Sequence, residues 1–240
     1  MLSKNETKYI QSLCNKKQRQ LSGLFIVEGV KQIEELLLSD FVIKTIYATQ
    51  EWTSKNLGNT HLVRVSADEL KKISALQTPN QVLALVEEPK TKKLLIPSDK
   101  WILALDGIQD PGNMGTLIRI ADWFGIDTIL ASPDSVDCFN PKVIQSTMGS
   151  FTRVAVFYEE LDQLFLSAQL PIYGALLEGQ SVFEKEHFSK GILLIGNESK
   201  GIHPALQQLI THSVSIPRIG NAESLNAAVA AGILLSQLTR

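Results

Sequence analysis

ILLIGNES (Ile192–Ser199) and SIPRIGNAESLNAAVAAG (Ser215–Gly232) share one design, an apolar strand-like run that opens into a loop of Gly, Asn, Ser and Glu. The second then enters a helix rich in Ala and Leu. ILALDGIQDPGNMGTLIRIADWFGI (Ile102–Ile126) repeats the design and adds an Asn, an Arg and three loop glycines. Polar loops at strand ends are where α/β proteins bind ligands, so the three loops are expected to form one site.

Outward from these loops, strand and helix patterns alternate. Strands WILALD, TILAS, RVAVFY, PIYGALL, GILLIG and SVSIP are apolar throughout, which suits a parallel sheet covered on both faces. Helices are predicted from about Asn113 to Phe124, around Pro141 to Thr147, over LDQLFLSAQ and PALQQLIT, and from Ser224 onward. The expectation is a three-layer α/β domain over residues 100–240. A charged, Pro-marked stretch, EEPKTKKLLIPSDK, interrupts the pattern and places a linker at residues 89–99. Before it, residues 1–88 read as a small α/β/α unit with strands LFIVEG, KTIYAT, HLVRVS and VLALVE and helices GVKQIEELLL, EWTSKNL and ADELKKISAL. Ser66 with Glu69 three residues on reads as a capping box.

The 240 residues carry a formal charge of −2 and are 44% hydrophobic, enough for a real core in one or two domains. No signal peptide or membrane span is evident, which predicts a cytoplasmic protein. Charge is uneven: residues 1–100 hold 15 Lys and Arg against 11 acids, and 101–240 hold 8 against 14. Lys4, Lys8, Lys16, Lys17 and Arg19 crowd the first twenty residues, either to meet phosphates or as a solvated first helix. Cys14 and Cys138 lack metal-ligand spacing and read as incidental thiols, with no metal expected.

The spacing of Gly107, Gly112 and Gly115 matches neither a dinucleotide fingerprint nor a P-loop. Asn113, placed at the start of its helix, would leave backbone N–H groups open to an anion, and Arg119 offers a planar fork matched to phosphate. Taken singly, a cap and a surface charge explain both. Glu198 follows four apolar strand residues, either as an acceptor at the core rim or as a first-turn acid for the helix at Pro204. Ser224 reads as an N-cap, and Ala227, Ala228, Ala230, Ala231 and Gly232 permit close helix packing, in a core or between subunits.

At these segments the chain resembles the SpoU (TrmH) family of RNA ribose 2′-O-methyltransferases. DPGNMGTLIRIADWFG, IGNESKGI and IPRIGNAESLNAAVAAGILL match its three motifs, and the likeness spans Trp101 to Arg240. FIVEGVKQIEELL resembles, over a shorter stretch, the start of a ribosomal-protein-like substrate-binding domain. The resemblance implies a SPOUT fold with a C-terminal trefoil knot, a homodimer, and S-adenosylmethionine held in the knot mostly by backbone groups. It implies cofactor contacts at Gly196, Ile216 and Leu225, with Leu194, Ile195, Asn197, Pro217, Ile219 and Ser224 completing the pocket wall. It also implies a catalytic set of Asn113, Arg119, Glu198, Ser224 and Asn226 that methylates a ribose 2′-hydroxyl.

No His is available as a base in that set. Because guanidinium stays protonated, Arg119 is expected to grip the target phosphate and polarise the hydroxyl while Ser224, Asn226 and Glu198 fix geometry. Two departures from the commonest family pattern, Arg218 after the motif Pro and Ser199-Lys200 in the second motif, add polar or positive character. Lys16, Lys17, Arg19, Lys142, Arg153, Lys200 and Arg218 are the expected RNA contacts, and binding should weaken with salt. Ribosomal RNA is the favoured substrate, with transfer RNA the alternative. A non-catalytic RNA-binding module and a small-molecule α/β enzyme are the competing classes.

Overall fold

Period-two burial organises the first sheet. In a computed structural model that describes residues 2–89, 94–184 and 187–240, β1 (Leu24–Glu28), β2 (Ile43–Ala48), β3 (Leu62–Arg64) and β4 (Val82–Glu87) form a four-stranded sheet in the order β1-β4-β2-β3. β4 runs antiparallel to β1 and β2, and β3 is parallel to β2. Phe25, Val27, Ile46, Ala48, Val82, Ala84 and Val86 face one core with Ile33 and Leu36 of helix α3 (Val30–Leu37). The alternate residues Ile26, Tyr47, Leu83 and Leu85 face another. That second core also takes Ile10 and Leu13 from α1 (Lys4–Ser12) and its C-cap, and Leu70 and Ile73 from α4 (Ala67–Ile73). Such alternation is what a pleated strand covered on both faces requires. Ser66 and Glu69 form the expected capping box at the start of α4.

The chain divides into two compact units, Met1–Lys92 with Asp137–Thr152, and Lys93–Val136 with Arg153–Arg240. Nothing in the sequence announced that residues 137–152, which contain α6 (Pro141–Thr147), group with the first unit. Ile144 and Phe151 enter its core, and the Phe139 ring lies 4.5 Å from that of Phe25. Of the expected linker 89–99, residues 90–93 lie outside the described residues.

Two expectations for this unit are corrected. EWTSKNL is irregular, not helical: Arg64 takes the carbonyls of Thr49 and Trp52 at 2.6 and 2.8 Å, and Asn56 N–H donates to Ser54 Oγ at 3.2 Å. These bonds use groups that a helix would pair internally. Arg19, on α2 (Lys16–Ser22), is 1% exposed and is not an RNA contact. Its guanidinium pairs with Asp137 and donates to the Leu13 and Cys14 carbonyls at 2.9 and 3.1 Å. Removing one partner of a buried pair strands the other, so Arg19→Ala is expected to cost about 3–5 kcal/mol in urea unfolding. A loss below about 1 kcal/mol would show the pair to be incidental.

The second unit holds a six-stranded sheet in the order β10-β8-β9-β5-β6-β7, with every neighbouring pair parallel. Its strands are β5 (Ile102–Leu105), β6 (Thr128–Ala131), β7 (Ala155–Tyr158), β8 (Ile172–Ser181), β9 (Ile192–Ile195) and β10 (His212–Ser215). On one face Ile102, Ala104, Leu130, Ile172, Ile192 and Leu194 pack with Leu161 and Phe165 of α7 (Leu161–Ser167) and Leu206 of α8 (Pro204–Gln207). Alternate residues Leu103, Leu105, Ile129, Leu193 and Ile195 are buried too. Helices α5 (Pro111–Trp123) and α9 (Ala227–Leu238) pack on each other, with Gly232 brought close to Ile120. From β5 the order runs outward through β6 to β7, then resumes with β8 and β9 on β5's other side. The boundary between β5 and β9 is therefore the switch point where open parallel sheets bind ligands.

Among the described residues no helix is long and apolar enough to cross a membrane, and no group of His, Cys, Asp and Glu is placed to hold a metal ion.

Candidate active site

The first loop starts α5 two residues earlier than expected. Asp110 is the N-cap, accepting from Asn113 N–H at 2.8 Å, and Pro111 occupies the first helical position, where its missing donor costs nothing. The helix start therefore carries its own carboxylate and is not the open anion site the sequence suggested. Capping by Asp110 also frees the Asn113 side chain.

At α9 the cap is likewise displaced, from Ser224 to Asn226, whose Oδ1 accepts from Ala228 and Val229 N–H at 3.0 and 3.3 Å. With Oδ1 held there, Nδ2 donates to Asn113 Oδ1 at 2.8 Å. Asn113 Nδ2 in turn donates to Glu198 Oε1. One helix cap thus orients two amides in series, and every donor points toward the carboxylate. Glu198 is therefore spoken for at this switch point and is not the first-turn acid of α8, whose N-cap is His203.

Behind Glu198 lies a cleft of about 1060 Å³ lined by the middle of β8, by Ile195 of β9 and Val214 of β10, by residues 196–202 and by residues 216–220 and 222–225. Ile195, Gly196, Asn197, Ile216, Pro217, Ile219, Ser224 and Leu225 all line it, as do Glu198, Lys200 and Arg218. Leu194 does not: β9 alternation turns it into the core beside Leu206, where it is fully buried. The third segment leaves most of its backbone unspent: among the described residues no backbone–backbone hydrogen bond involves residues 216–225, and the Ala222 carbonyl accepts from the Arg218 guanidinium at 3.3 Å. Groups left over in this way are what a ligand bound by main chain needs.

Gly196, at the cleft wall, also has a structural use. A Cβ there would overlap the backbone C of Gly201 and N of Ile202, so its bare backbone lets the loop fold on itself. Beside it, burial pushes the Asp106 carboxyl up, opposed by the His203 N–H that it accepts at 2.6 Å.

Leu176 and Leu177 in the middle of β8, with Val214 of β10, also line the cleft and escaped notice. They sit in plain apolar runs with no polar motif to mark them. Arg119 is exposed on α5 and has no hydrogen bond to Asn113, Glu198 or Asn226 among the described residues. Six residues beyond Asn113, it is rotated by about 240° around the helix. Lys16, Lys17, Lys142, Lys200 and Arg218 are exposed, and Arg153 is paired with Asp122 at 2.9 Å.

An all-parallel sheet with a polar relay at its switch point and an unspent backbone segment along a cleft defines a ligand-binding α/β domain, and comparison with known proteins identifies which one. Residues 100–236 match the model of the SpoU rRNA methylase family, and residues 4–84 match that of an MRM3-like substrate binding domain. The chain belongs to the SpoU rRNA methylase family. It is 32% identical to the 23S rRNA (guanosine(2553)-2′-O)-methyltransferase RlmP of Bacillus subtilis, over 95% of this chain and 93% of that one. Among solved structures, a TrmH-family protein from Porphyromonas gingivalis shares 35% identity with a TM-score of 0.86, covering 99% of this chain and 98% of the other. The SpoU methyltransferase AviRb from Streptomyces viridochromogenes, solved in complex with AdoMet, shares 26% identity with a TM-score of 0.85, over 99% and 97%.

Proposed function

We propose that this chain transfers the methyl group of S-adenosylmethionine to a ribose 2′-hydroxyl of ribosomal RNA. The observation that carries the reading is the relay from Asn226 through Asn113 to Glu198, set at the mouth of a cleft whose third wall makes no backbone–backbone hydrogen bond among the described residues. The cleft fits that cofactor: apolar Ile195, Ile216 and Leu225 suit a flat base, and main-chain groups of residues 216–220 and 223–225, which make no backbone–backbone hydrogen bond among the described residues, suit its polar edges. When bound, the cofactor supplies an electrophilic methyl on a cationic sulfur.

The chain's own residues do the rest. Gly196, Asn197, Ile216, Pro217, Ile219, Ser224 and Leu225 form the wall that holds the cofactor. Glu198, fixed by Asn113, offers a carboxylate acceptor that orients the incoming hydroxyl, and the Ser224 hydroxyl stands on the same rim. Holding a weak nucleophile in line is the main contribution such a site can make. Arg119 grips the phosphate beside the target ribose and polarises its hydroxyl.

Arg119 faces away from Asn113, so we assign it to the cleft of a second copy in a homodimer. Exposed apolar side chains support this: Trp123 is 84% exposed on α5, and Val229 and Leu225 are about half exposed at the start of α9. The reading includes a trefoil knot in the second unit. After edge strand β10 the chain returns past β8 and β9, and Asn226 meets Asn113 where the loop after β9 already lies. Lys16, Lys17, Lys142, Lys200, Arg153 and Arg218 are the proposed RNA contacts, and a cytoplasmic location accords with the ribosomal substrate.

Calorimetry with S-adenosylmethionine, sedimentation, and methyl transfer to ribosomal and transfer RNA test the reading together. Saturable binding to a dimer and transfer to ribosomal RNA are expected. Binding without transfer to either RNA would favour a non-catalytic module, and transfer to free nucleosides a small-molecule enzyme.

A further inference from the structure

Asn197 lines the cleft, yet every polar group it owns is spent inside the protein. Its backbone exchanges hydrogen bonds with Gly201, N–H to O at 3.0 Å and the reverse at 2.9 Å. Its Oδ1 accepts from Ser199 and Lys200 N–H at 2.9 and 3.0 Å, and its Nδ2 donates to the Gly107 carbonyl at 2.7 Å. The far end of the same loop is tied alongside, His203 N–H donating to Asp106 Oδ2 at 2.6 Å. Gly107 is itself fixed, with φ of +67° and its N–H on Ser132 Oγ at 2.7 Å. Both ends of the segment 197–203 are therefore fastened to one dipeptide, Asp106-Gly107, at the end of β5.

We infer that Asn197 is a positioning residue for methyl transfer: its side-chain amide locks the loop bearing Glu198 to the strand end that leads to Asn113. The inference rests on the proposed methyltransferase reading and adds a residue whose work is done through Glu198. The amide is needed as donor and acceptor at once. Aspartate keeps the acceptor for Ser199 and Lys200 but, when ionised, sets a carboxylate against the Gly107 carbonyl. The charged groups around that point are Asp106 just after β5, Asp134 on the loop after β6, and Glu198, Lys200 and His203 on the loop itself. Three acids outweigh the exposed Lys200 and raise the pKa of an introduced carboxyl. Protonated, that carboxyl can again donate to Gly107.

The test compares wild type with Asn197→Asp and Asn197→Ala in the full chain, measuring kcat and cofactor KM on ribosomal RNA from pH 6 to 8.5, with thermal melting at each pH. At pH 8 both variants are expected to lose about 10- to 100-fold in kcat, the cost of leaving a part-buried acceptor unmatched. As pH falls toward 6, Asn197→Asp is expected to recover relative to wild type and Asn197→Ala to stay low. A constant ratio for Asn197→Asp, or wild-type kcat in Asn197→Ala, overturns the inference. Amide exchange in the wild-type protein needs no variant: slow exchange at Ser199, Lys200, Gly201 and His203 is expected, and free exchange at all four overturns it. A wild type that transfers no methyl group would instead sink the reading beneath.

Discussion

Arg119→Lys is expected to lower kcat for RNA methylation by about 100-fold or more, with cofactor affinity changed less than about threefold. Lysine keeps the charge but loses the planar fork that can hold a phosphate and a hydroxyl together. The side chain lies on the face of α5 turned from Asn113, so its removal should leave the cleft wall untouched. The same geometry yields a sharper result. Mixing Arg119→Lys with a cofactor-binding variant should restore activity if Arg119 serves the partner's cleft, because one mixed dimer then holds one intact site. Unchanged kcat in Arg119→Lys would remove this residue from the mechanism, and failure of mixing would return it to its own subunit.

Gly196→Ala is expected to raise the dissociation constant for S-adenosylmethionine on the order of 100-fold. An added methyl meets the backbone of Gly201 and Ile202, which cannot rotate away as a side chain would, so the loop must open. Overpacking of this kind costs about 1–3 kcal/mol, near the upper end where backbone is the obstacle. Gly201→Ala is the control: its Cβ meets nothing, and only its φ of +68° is strained, at about 1 kcal/mol. Calorimetry on the two variants separates the effects. Equal affinities for Gly196→Ala and wild type would show that the loop does not shape the cofactor wall.

Much of this was legible because the physics is local. Apolar runs ending in Gly, Asn and Glu marked the strands and their ligand-bearing ends, and Asn113, Glu198 and Asn226 stand in one hydrogen-bonded relay. Long-range partners are what sequence conceals. Arg19 looked like a surface cation because Asp137, which buries it, lies 118 residues away. Leu194 was misplaced by one strand position, since an all-apolar strand does not reveal which residues face which side. Caps moved by two or three residues, to Asp110 and Asn226, because several polar residues in each loop could have served. Leu176 and Leu177 of the cleft sit in an apolar run with no motif to mark them.

One measurement bears most directly on the central claim. Ribosomal RNA lacking the modification, incubated with the purified protein and S-adenosylmethionine labelled in its methyl group, can be hydrolysed in alkali and its labelled products identified. A 2′-O-methyl group blocks cleavage at its own ribose, so the account predicts label in alkali-resistant dinucleotides, lowered by Gly196→Ala at cofactor concentrations below its raised dissociation constant and reduced about 100-fold by Arg119→Lys. Label released in single nucleotides, which places the methyl on a base, or no label in RNA at all, would contradict it.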